Sequence, residues 1–316
     1  MINIGINGFG RIGRLASRII MNSSQFNLVS INHPTIDKKN LDKLITYDSV
    51  HGYHDFGEKT NITIHNQKDP NKIIWEDNLD IILETTGQFK ELDDLQHYNK
   101  NINTKIIVSA PSKTLPMFIY GVNHETYKNE NIISGSSCTT TCLAPLVDIL
   151  HKHYYIKSGL ATTIHSVTAS QQAVDKLNPN SRTGRTLLNN IIPSTTGAAK
   201  SIGKIIPELD GVLNAIGVRV PVQNVSLLDL TLELEQFPEI KDIIDEITNE
   251  SKHNYKDIVY VDNNELVSSD FIGSPYACIV DSKTIMKQGD LYKIMAWYDN
   301  EYGYAYNLVR LAAWVS

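Results

Sequence analysis

The chain has 316 residues, 41% of them hydrophobic, which exceeds one ordinary domain and supports two full-sized cores. It carries 29 Lys and Arg against 35 Asp and Glu, a formal net charge of −6, with no long basic or acidic block and no apolar run long enough to span a bilayer, so neither a nucleic acid nor a membrane is an expected partner. Three cysteines, two of them four positions apart, make no disulfide framework, and the opening "MINIGINGFGRIGR" lacks the basic start, apolar core and cleavage site of a signal peptide; a reduced, cytoplasmic setting is expected.

"INIGI" (2–6) alternates and is β-branched, the pattern of a strand, and "GRIGRLASRIIM" follows with Ile12, Leu15, Ala16, Ile19 and Ile20 at helical spacing. Between them stands Gly8-Phe-Gly10-Arg-Ile-Gly13. The bare pattern is common by chance, but here it leaves a strand and opens a helix, the context that a dinucleotide turn requires. Gly8 permits the tight turn, Gly10 lets backbone approach a pyrophosphate, and Gly13 lets helix and strand pack closely, while the helix N-terminus receives the phosphates. "FNLVSIN" (26–32) reads as a second strand, after which such a turn calls for an acidic residue on the ribose hydroxyls; that position holds His33. "LDIILETTG", "TKIIVSAPS", "MFIYGVN" and "NIISG" are further short apolar runs ended by turn or polar residues. This strand–helix alternation predicts an α/β domain with a parallel sheet covered on both faces.

"ISGSSCTTTCLAPL" (133–146) reads as a strand exit followed by a helix start, with Cys138 among small hydroxyl residues. A thiol there faces unpaired backbone N–H groups and the positive end of the helix dipole, both of which lower its pKa. Taken alone, the segment fits a capping turn that contains a cysteine equally well. From Ser158 onward the strands lengthen: "SGLATTIHSVTAS", "GVLNAIGVRV", "NVSLLDLTLELE" and "DLYKIMAWYDN" alternate over long runs, with "EIKDIIDEITNE" as one amphipathic helix between them. The pattern is α+β with a largely antiparallel sheet. The domain boundary is placed before Cys138, giving residues 1–137 and 138–300, and the last helix, 301–316, is expected to pack back on the first domain. Of ten histidines, His151 and His153 lie two apart and cannot share a helix face, His51 and His54 have no matching ligand pair, and His165 by itself fits a satisfied strand residue.

Six segments in this order, "INGFGRIGR", "SGSSCTTTCLAPL", "TTIHSVTASQ", "IIPSTTGAAK", "RVPVQNVSLLDLT" and "WYDNEYGY", resemble the phosphorylating glyceraldehyde-3-phosphate dehydrogenases from Ile2 to the last helix. The resemblance implies a Rossmann NAD-binding domain joined to an α+β catalytic domain. It implies Cys138 as nucleophile and His165 as base, passing through a thiohemiacetal and a thioester to an acyl phosphate. Thr168 and Arg219 are then the contacts of one phosphate, and Ser137, Thr139, Thr196 and Gly197 belong to the anion and substrate contacts around the other. Gly8, Gly10, Arg11, Ile12, Gly13, His33, Lys68, Ser109 and Asn300 are the implied cofactor contacts, with Asn300 on the nicotinamide carboxamide. The implied partners are an aldehyde phosphate, inorganic phosphate and further copies of the chain in a homotetramer. No metal is implied, and Cys142, one helical turn past Cys138, reads as a packed free thiol.

Three departures stand out. His33 replaces the usual aspartate, which gives up repulsion of a 2′-phosphate, so NAD is the main cofactor and NADP use is expected to be measurable; "PTIDKKN" after it offers no arginine. Thr141 replaces an asparagine, and the stretch between "DSVHG" and "KDPNK" is short, losing a surface hairpin. The competing readings are erythrose-4-phosphate dehydrogenase and a non-catalytic dinucleotide-binding or interaction protein.

Overall fold

The computed structural model describes residues 1–56, 62–100, 104–178 and 182–316. Part of the shortened stretch, residues 57–61, lies outside them. The chain divides into two compact units, Met1–Ser137 with Tyr304–Ser316, and Cys138–Gly303.

The first unit runs β1 (Ile2–Asn7), α1 (Arg11–Met21), β2 (Phe26–Asn32), α2 (Lys38–Thr46), a small hairpin of β3 (Tyr47–Asp48) and β4 (Gly52–Tyr53), then β5 (Thr63–His65), β6 (Ile81–Glu84), β7 (Lys105–Val108) and β8 (Ile132–Ser134). Six strands form one sheet in the order β5-β2-β1-β6-β7-β8, and every pairing in it is parallel. This is the doubly wound order that leaves a crevice at the C-terminal ends of the strands. Ile4, Ile6, Ile31, Ile81, Ile82 and Leu83 are fully buried, as strands covered on both faces must be. α1 contributes Leu15, Ala16 and Ile20. On the opposite side, Ile82, Ile106 and Val108 pack with Trp75, Leu79, Leu95 and Tyr98, so the cover there comes from loops and a 3₁₀ stretch (Leu92–Lys100) rather than a long helix.

"MFIYGVN" does not form the expected strand. Met117 makes a single bridge to Ser134, and then the Asn123 side chain accepts from Ile119 N–H and donates to the Met117 carbonyl. That clamp and Gly121, at φ 90°, turn the chain before a ladder can grow.

The second unit runs α3 (Cys138–Tyr154), β9 (Ile156–His165), β10 (Ile192–Thr195), α4 (Ala198–Ile205), β11 (Leu213–Arg219), β12 (Ser226–Leu234), α5 (Ile240–Glu250), β13 (Val259–Asp262), β14 (Cys278–Gln288) and β15 (Leu291–Tyr298); α6 (Tyr302–Val315) follows. The seven-stranded sheet has the order β10-β11-β9-β12-β15-β14-β13. Its β11–β9 and β13–β14 pairs are parallel and the rest antiparallel, so the sheet is mixed but largely antiparallel. β13 and β14 carry no reading in the sequence analysis.

In the first unit the Glu84 carboxylate is buried and accepts four hydrogen bonds. Asn7 Nδ2 (2.6 Å) and Tyr98 OH (2.8 Å) donate to one oxygen, and Thr86 N–H and its hydroxyl donate to the other. Burial pushes this carboxyl pKa up, opposed by those donors. An amide would turn its N–H₂ toward either the Asn7 N–H₂ or the Thr86 N–H, each of which can only donate. Glu84→Gln is therefore expected to cost about 1–3 kcal/mol in chemical denaturation, although it removes a buried charge.

Candidate active site

β8 ends at Ser134, and Gly135, Ser136 and Ser137 turn the chain into α3, whose first residue is Cys138. The turn is tight. Ser136 has φ 58°, a left-handed conformation that costs about 1–2 kcal/mol for an L-residue. It is held there by hydrogen bonds: its N–H donates to Ser134 Oγ (3.0 Å), and its carbonyl accepts from Tyr304 OH (3.0 Å). A Cβ on Gly135 would lie 2.5 Å from Leu308 Cδ1, so the approach leaves room only for glycine.

β9 delivers His165 at its C-terminal end. The parallel register between β9 and β11 pairs His165 with Arg219, so both side chains leave the same face at the same level. Cys138 Sγ lies 3.5 Å from His165 Nε2, and Arg219 Nη1 lies 2.6 Å from His165 Nδ1. The same Nδ1 is 2.8 Å from the Ser166 carbonyl oxygen. Tyr298, 1% exposed, stands edge-on to the imidazole and shares hydrogen bonds with Thr139 Oγ1 (2.9 Å) and Thr163 Oγ1 (2.7 Å), tying β15 to the start of α3 and to β9.

The electrostatics differ from the expectation of a thiol armed by the helix N-terminus. Burial pushes the Cys138 pKa up, and this outweighs the Arg219 charge and the hydrogen bonds from Thr139, which pull it down. Burial and then the Arg219 cation bring the His165 pKa down to about 4. At neutral pH the imidazole is uncharged.

The remaining residues of the second unit take these places. Asn300 Oδ1 accepts from Ser166 Oγ (2.7 Å) and Ser226 Oγ (2.9 Å), which fixes the amide and commits its N–H₂ to whatever lies beyond. Thr168, in the loop after β9, donates both its N–H and its hydroxyl to Gln171 Oε1. Thr196 and Gly197 precede α4; Thr196 Oγ1 accepts from Ala198 N–H (3.2 Å), and no atom would obstruct a Cβ on Gly197 within 4 Å. The Thr139 hydroxyl is buried against Tyr298, whereas Ser137 is half-buried just before Cys138. Cys142 and Cys278 are fully buried free thiols. His153 Nε2 faces Glu250 Oε1 (3.2 Å) and Glu246 Oε1 (3.4 Å) across α3 and α5. Sequence reasoning missed Ser166, Ser226 and Tyr298, since nothing in the spacing of a strand residue signals a buried hydroxyl partner.

In the first unit, Gly8, Gly10, His33 and Lys68 line a cavity of about 540 Å³ together with Asn7, Asn32 and Thr86. Gly8 has φ 95°, and a Cβ there would lie 2.7 Å from Thr86 N; on Gly13 a Cβ would lie 2.1 Å from the Gly8 carbonyl oxygen. At Gly10 a Cβ would meet nothing within 4 Å, so smallness there is demanded by no protein atom and suits the close approach of a pyrophosphate. The residues present therefore fit a dinucleotide. Arg11 spends its guanidinium on a two-pronged ion pair with Asp48, while Ile12 and Ser109 are half-buried and do not line this cavity.

Comparison with known proteins agrees with both halves. Residues 2–92 match the family model for the glyceraldehyde 3-phosphate dehydrogenase NAD binding domain, and residues 137–300 match that for the C-terminal domain. A glyceraldehyde-3-phosphate dehydrogenase of Atriplex nummularia is 42% identical over 98% of this chain and 91% of its own. Glyceraldehyde-3-phosphate dehydrogenase 1 of Kluyveromyces marxianus is 41% identical over the whole of both chains, and the cytosolic enzyme of Chlamydomonas reinhardtii is 42% identical over 100% of this chain and 97% of its own. The chain belongs to the glyceraldehyde-3-phosphate dehydrogenase family.

Two departures from the glyceraldehyde-3-phosphate dehydrogenase pattern can now be placed. Thr141 is buried in α3, and its hydroxyl has no hydrogen-bond partner among the described residues; nothing in the structure explains the exchange. His33 follows β2, and Arg14 of α1 shares a second hollow of about 380 Å³ with it, alongside Thr35, Asn40 and Lys43. The stretch after His33 holds no arginine, but the fold brings one from the preceding helix, a correction to the sequence reading. Burial and the Arg14 charge lower the His33 pKa, so it stays neutral at pH 7.

The three glycines of the turn separate stability from binding. Gly13→Ala is expected to lower the melting temperature markedly, whereas Gly10→Ala leaves it within a degree or two and weakens NAD affinity at least about tenfold. Thermal melts and cofactor titration of both variants check this.

Proposed function

We propose that this chain oxidises D-glyceraldehyde 3-phosphate to 1,3-bisphosphoglycerate, with inorganic phosphate as the second substrate and NAD as hydride acceptor. The observation that carries this reading is the Cys138–His165–Arg219 contact set in a chain that matches the family over both halves. In this reading the Cys138 thiolate adds to the aldehyde carbon, and the resulting oxyanion takes a proton to give a thiohemiacetal. His165 accepts the hydroxyl proton as hydride leaves carbon, so the carbonyl re-forms as a thioester. NAD, when bound, supplies the acceptor for that hydride. Phosphate oxygen then attacks the thioester carbonyl, the C–S bond breaks, and the Cys138 thiolate returns. Sulfur suits both halves, because a thioester keeps the oxidation energy that an oxygen ester would lose.

Arg219 and Thr168 hold one phosphate, and Ser137, Thr139, Thr196 and Gly197 surround the other. Asn300, its carbonyl oxygen already occupied by Ser166 and Ser226, offers only N–H₂, which matches the carboxamide oxygen of nicotinamide. In the first unit Gly8, Gly10, Gly13, the Arg11 and Ile12 backbone, Lys68 and Ser109 hold the rest of the cofactor. A homotetramer in the cytoplasm completes the reading. It is supported by the "cytosolic" names of several relatives and by apolar residues on the sheet face opposite His165, among them Leu160 (67% exposed) and Ile216 (48%).

Cys138→Ser is expected to abolish NADH formation while cofactor affinity changes by less than about threefold, and His165→Asn to slow turnover by about 10²–10⁴-fold. Turnover and NAD titration measured on the same preparations decide it; residual Cys138→Ser activity above a few per cent would remove this sulfur as nucleophile.

NADP is accepted beside NAD, in this reading because His33 carries no negative charge and Arg14 and Lys43 share its hollow. His33→Asp should raise the NAD/NADP ratio of specificity constants by more than about tenfold, since a charged hydrogen bond is worth about 1.5–3 kcal/mol. With the His33 pKa lowered, the wild-type ratio should stay flat between about pH 7 and 8 and tilt toward NADP only below the usual imidazole range. A strict NAD preference that the substitution leaves unchanged would refute this.

A further inference from the structure

Two groups compete at one nitrogen of His165. The Ser166 carbonyl, 2.8 Å from Nδ1, can only accept a hydrogen bond. The Arg219 guanidinium, 2.6 Å from the same atom, can only donate. A protonated Nδ1 satisfies the carbonyl and opposes the guanidinium; a bare Nδ1 does the reverse. The carbonyl is backbone, fixed by the β9 strand end, whereas Arg219 is a long side chain whose Nη1 has the Ser166 oxygen (3.3 Å) as a second acceptor.

We infer that Arg219 decides which nitrogen of His165 carries the proton, and that an anion drawing Arg219 off Nδ1 converts the imidazole from a donor toward Cys138 into an acceptor. The inference rests on the proposed roles of Cys138 and His165 and adds a second role to Arg219. With Arg219 seated on Nδ1, the single proton of neutral His165 sits on Nε2, which then points N–H at sulfur and cannot take a proton. With Arg219 engaged by a phosphate, the proton moves to Nδ1 and bonds the Ser166 carbonyl. Nε2 is then bare beside the sulfur, and the doubly protonated ring also becomes admissible, with Nδ1–H on the carbonyl and Nε2–H on a thiolate. Arrival of the anion thus readies the base.

Among the described residues, the titratable and charged groups facing His165 are Cys138 from α3, Arg219 from β11 and Tyr298 from β15. Tyr298 is neutral, since burial lifts its pKa far above the working range. Arg219 therefore acts in two opposed ways. As a cation it favours the thiolate, and as a neighbour of Nδ1 it disfavours the imidazolium. It touches the ring directly, while the sulfur lies past the far ring nitrogen, so the second effect dominates the thiolate–imidazolium pair.

The sign of one measurement separates the two. The pH dependence of Cys138 alkylation by neutral iodoacetamide is read in the full-length protein, with Cys138→Ser as the blank. If Arg219 acts only as a cation near sulfur, Arg219→Gln raises the labelling inflection. If it holds Nδ1, Arg219→Gln lowers the inflection by about one pH unit, because the imidazolium is released to pair with the thiolate. Sulfate, a dianion throughout the range and usable on the wild-type protein without any substitution, should shift the wild-type inflection the same way and leave that of Arg219→Gln in place. An inflection that rises or stays put in both arms overturns the proposal, and leaves the nucleophile reading intact so long as Cys138→Ser is inactive; an active Cys138→Ser enzyme defeats that reading instead.

Discussion

The parallel pairing of β9 with β11 sets His165 level with Arg219 in a sheet whose other pairings are mostly antiparallel. Had the two strands run antiparallel, or slipped by one residue, the arginine would have met a different residue or left the opposite face. The consequence is electrostatic. Burial and the cation in contact with it keep that imidazole neutral, and the guanidinium is the positive charge that acts on the half-buried thiol. The site is a thiol, a neutral ring and one charge, with the guanidinium on the ring nitrogen that faces away from the sulfur.

Hydroxyl groups carry the rest of the framework. Tyr298 joins Thr139 to Thr163, and Ser166 and Ser226 share the oxygen of Asn300. Each link spans two elements far apart in sequence, and each is buried, where an unmade hydrogen bond costs most. The first unit uses the same device in another form: Asn7, Tyr98 and Thr86 surround Glu84 beneath the glycine turn, and Asn7 also accepts from Asn32. In both units polar side chains that do no chemistry determine where the functional backbone lies.

Much of this could be read in the chain, and the remainder divides by physical cause. The glycine turn was legible because each glycine answers a local demand: a positive φ at Gly8, a contact with the Gly8 carbonyl at Gly13 and open space at Gly10. Strands β9, β11, β12 and β15 were legible because one face is buried and alternation follows. The thiol pKa was not, because the helix-end effect is visible in sequence and enclosure of the sulfur is not. Arg14 beside His33 is hidden for a similar reason: no local pattern joins the two, and the fold brings the arginine from the helix before the histidine's strand. "MFIYGVN" has the composition of a strand, yet a side-chain clamp from Asn123 ends it after one bridge.

The return of α6 to the first unit has a bearing on how the molecule is made. Leu308 fills the space beside Gly135, Tyr304 holds the Ser136 carbonyl, and Asn307 donates to the Tyr120 carbonyl, all within a unit whose other residues end at Ser137. On the ribosome the nucleotide-binding sheet emerges before the second unit, but the residues that brace the turn leading to Cys138 emerge after it. The contiguous second unit can close before the first is finished. The loop in front of the reactive sulfur is thus secured only once α6 has been made, and a nascent chain stalled before α6 would hold its glycine turn without a braced thiol.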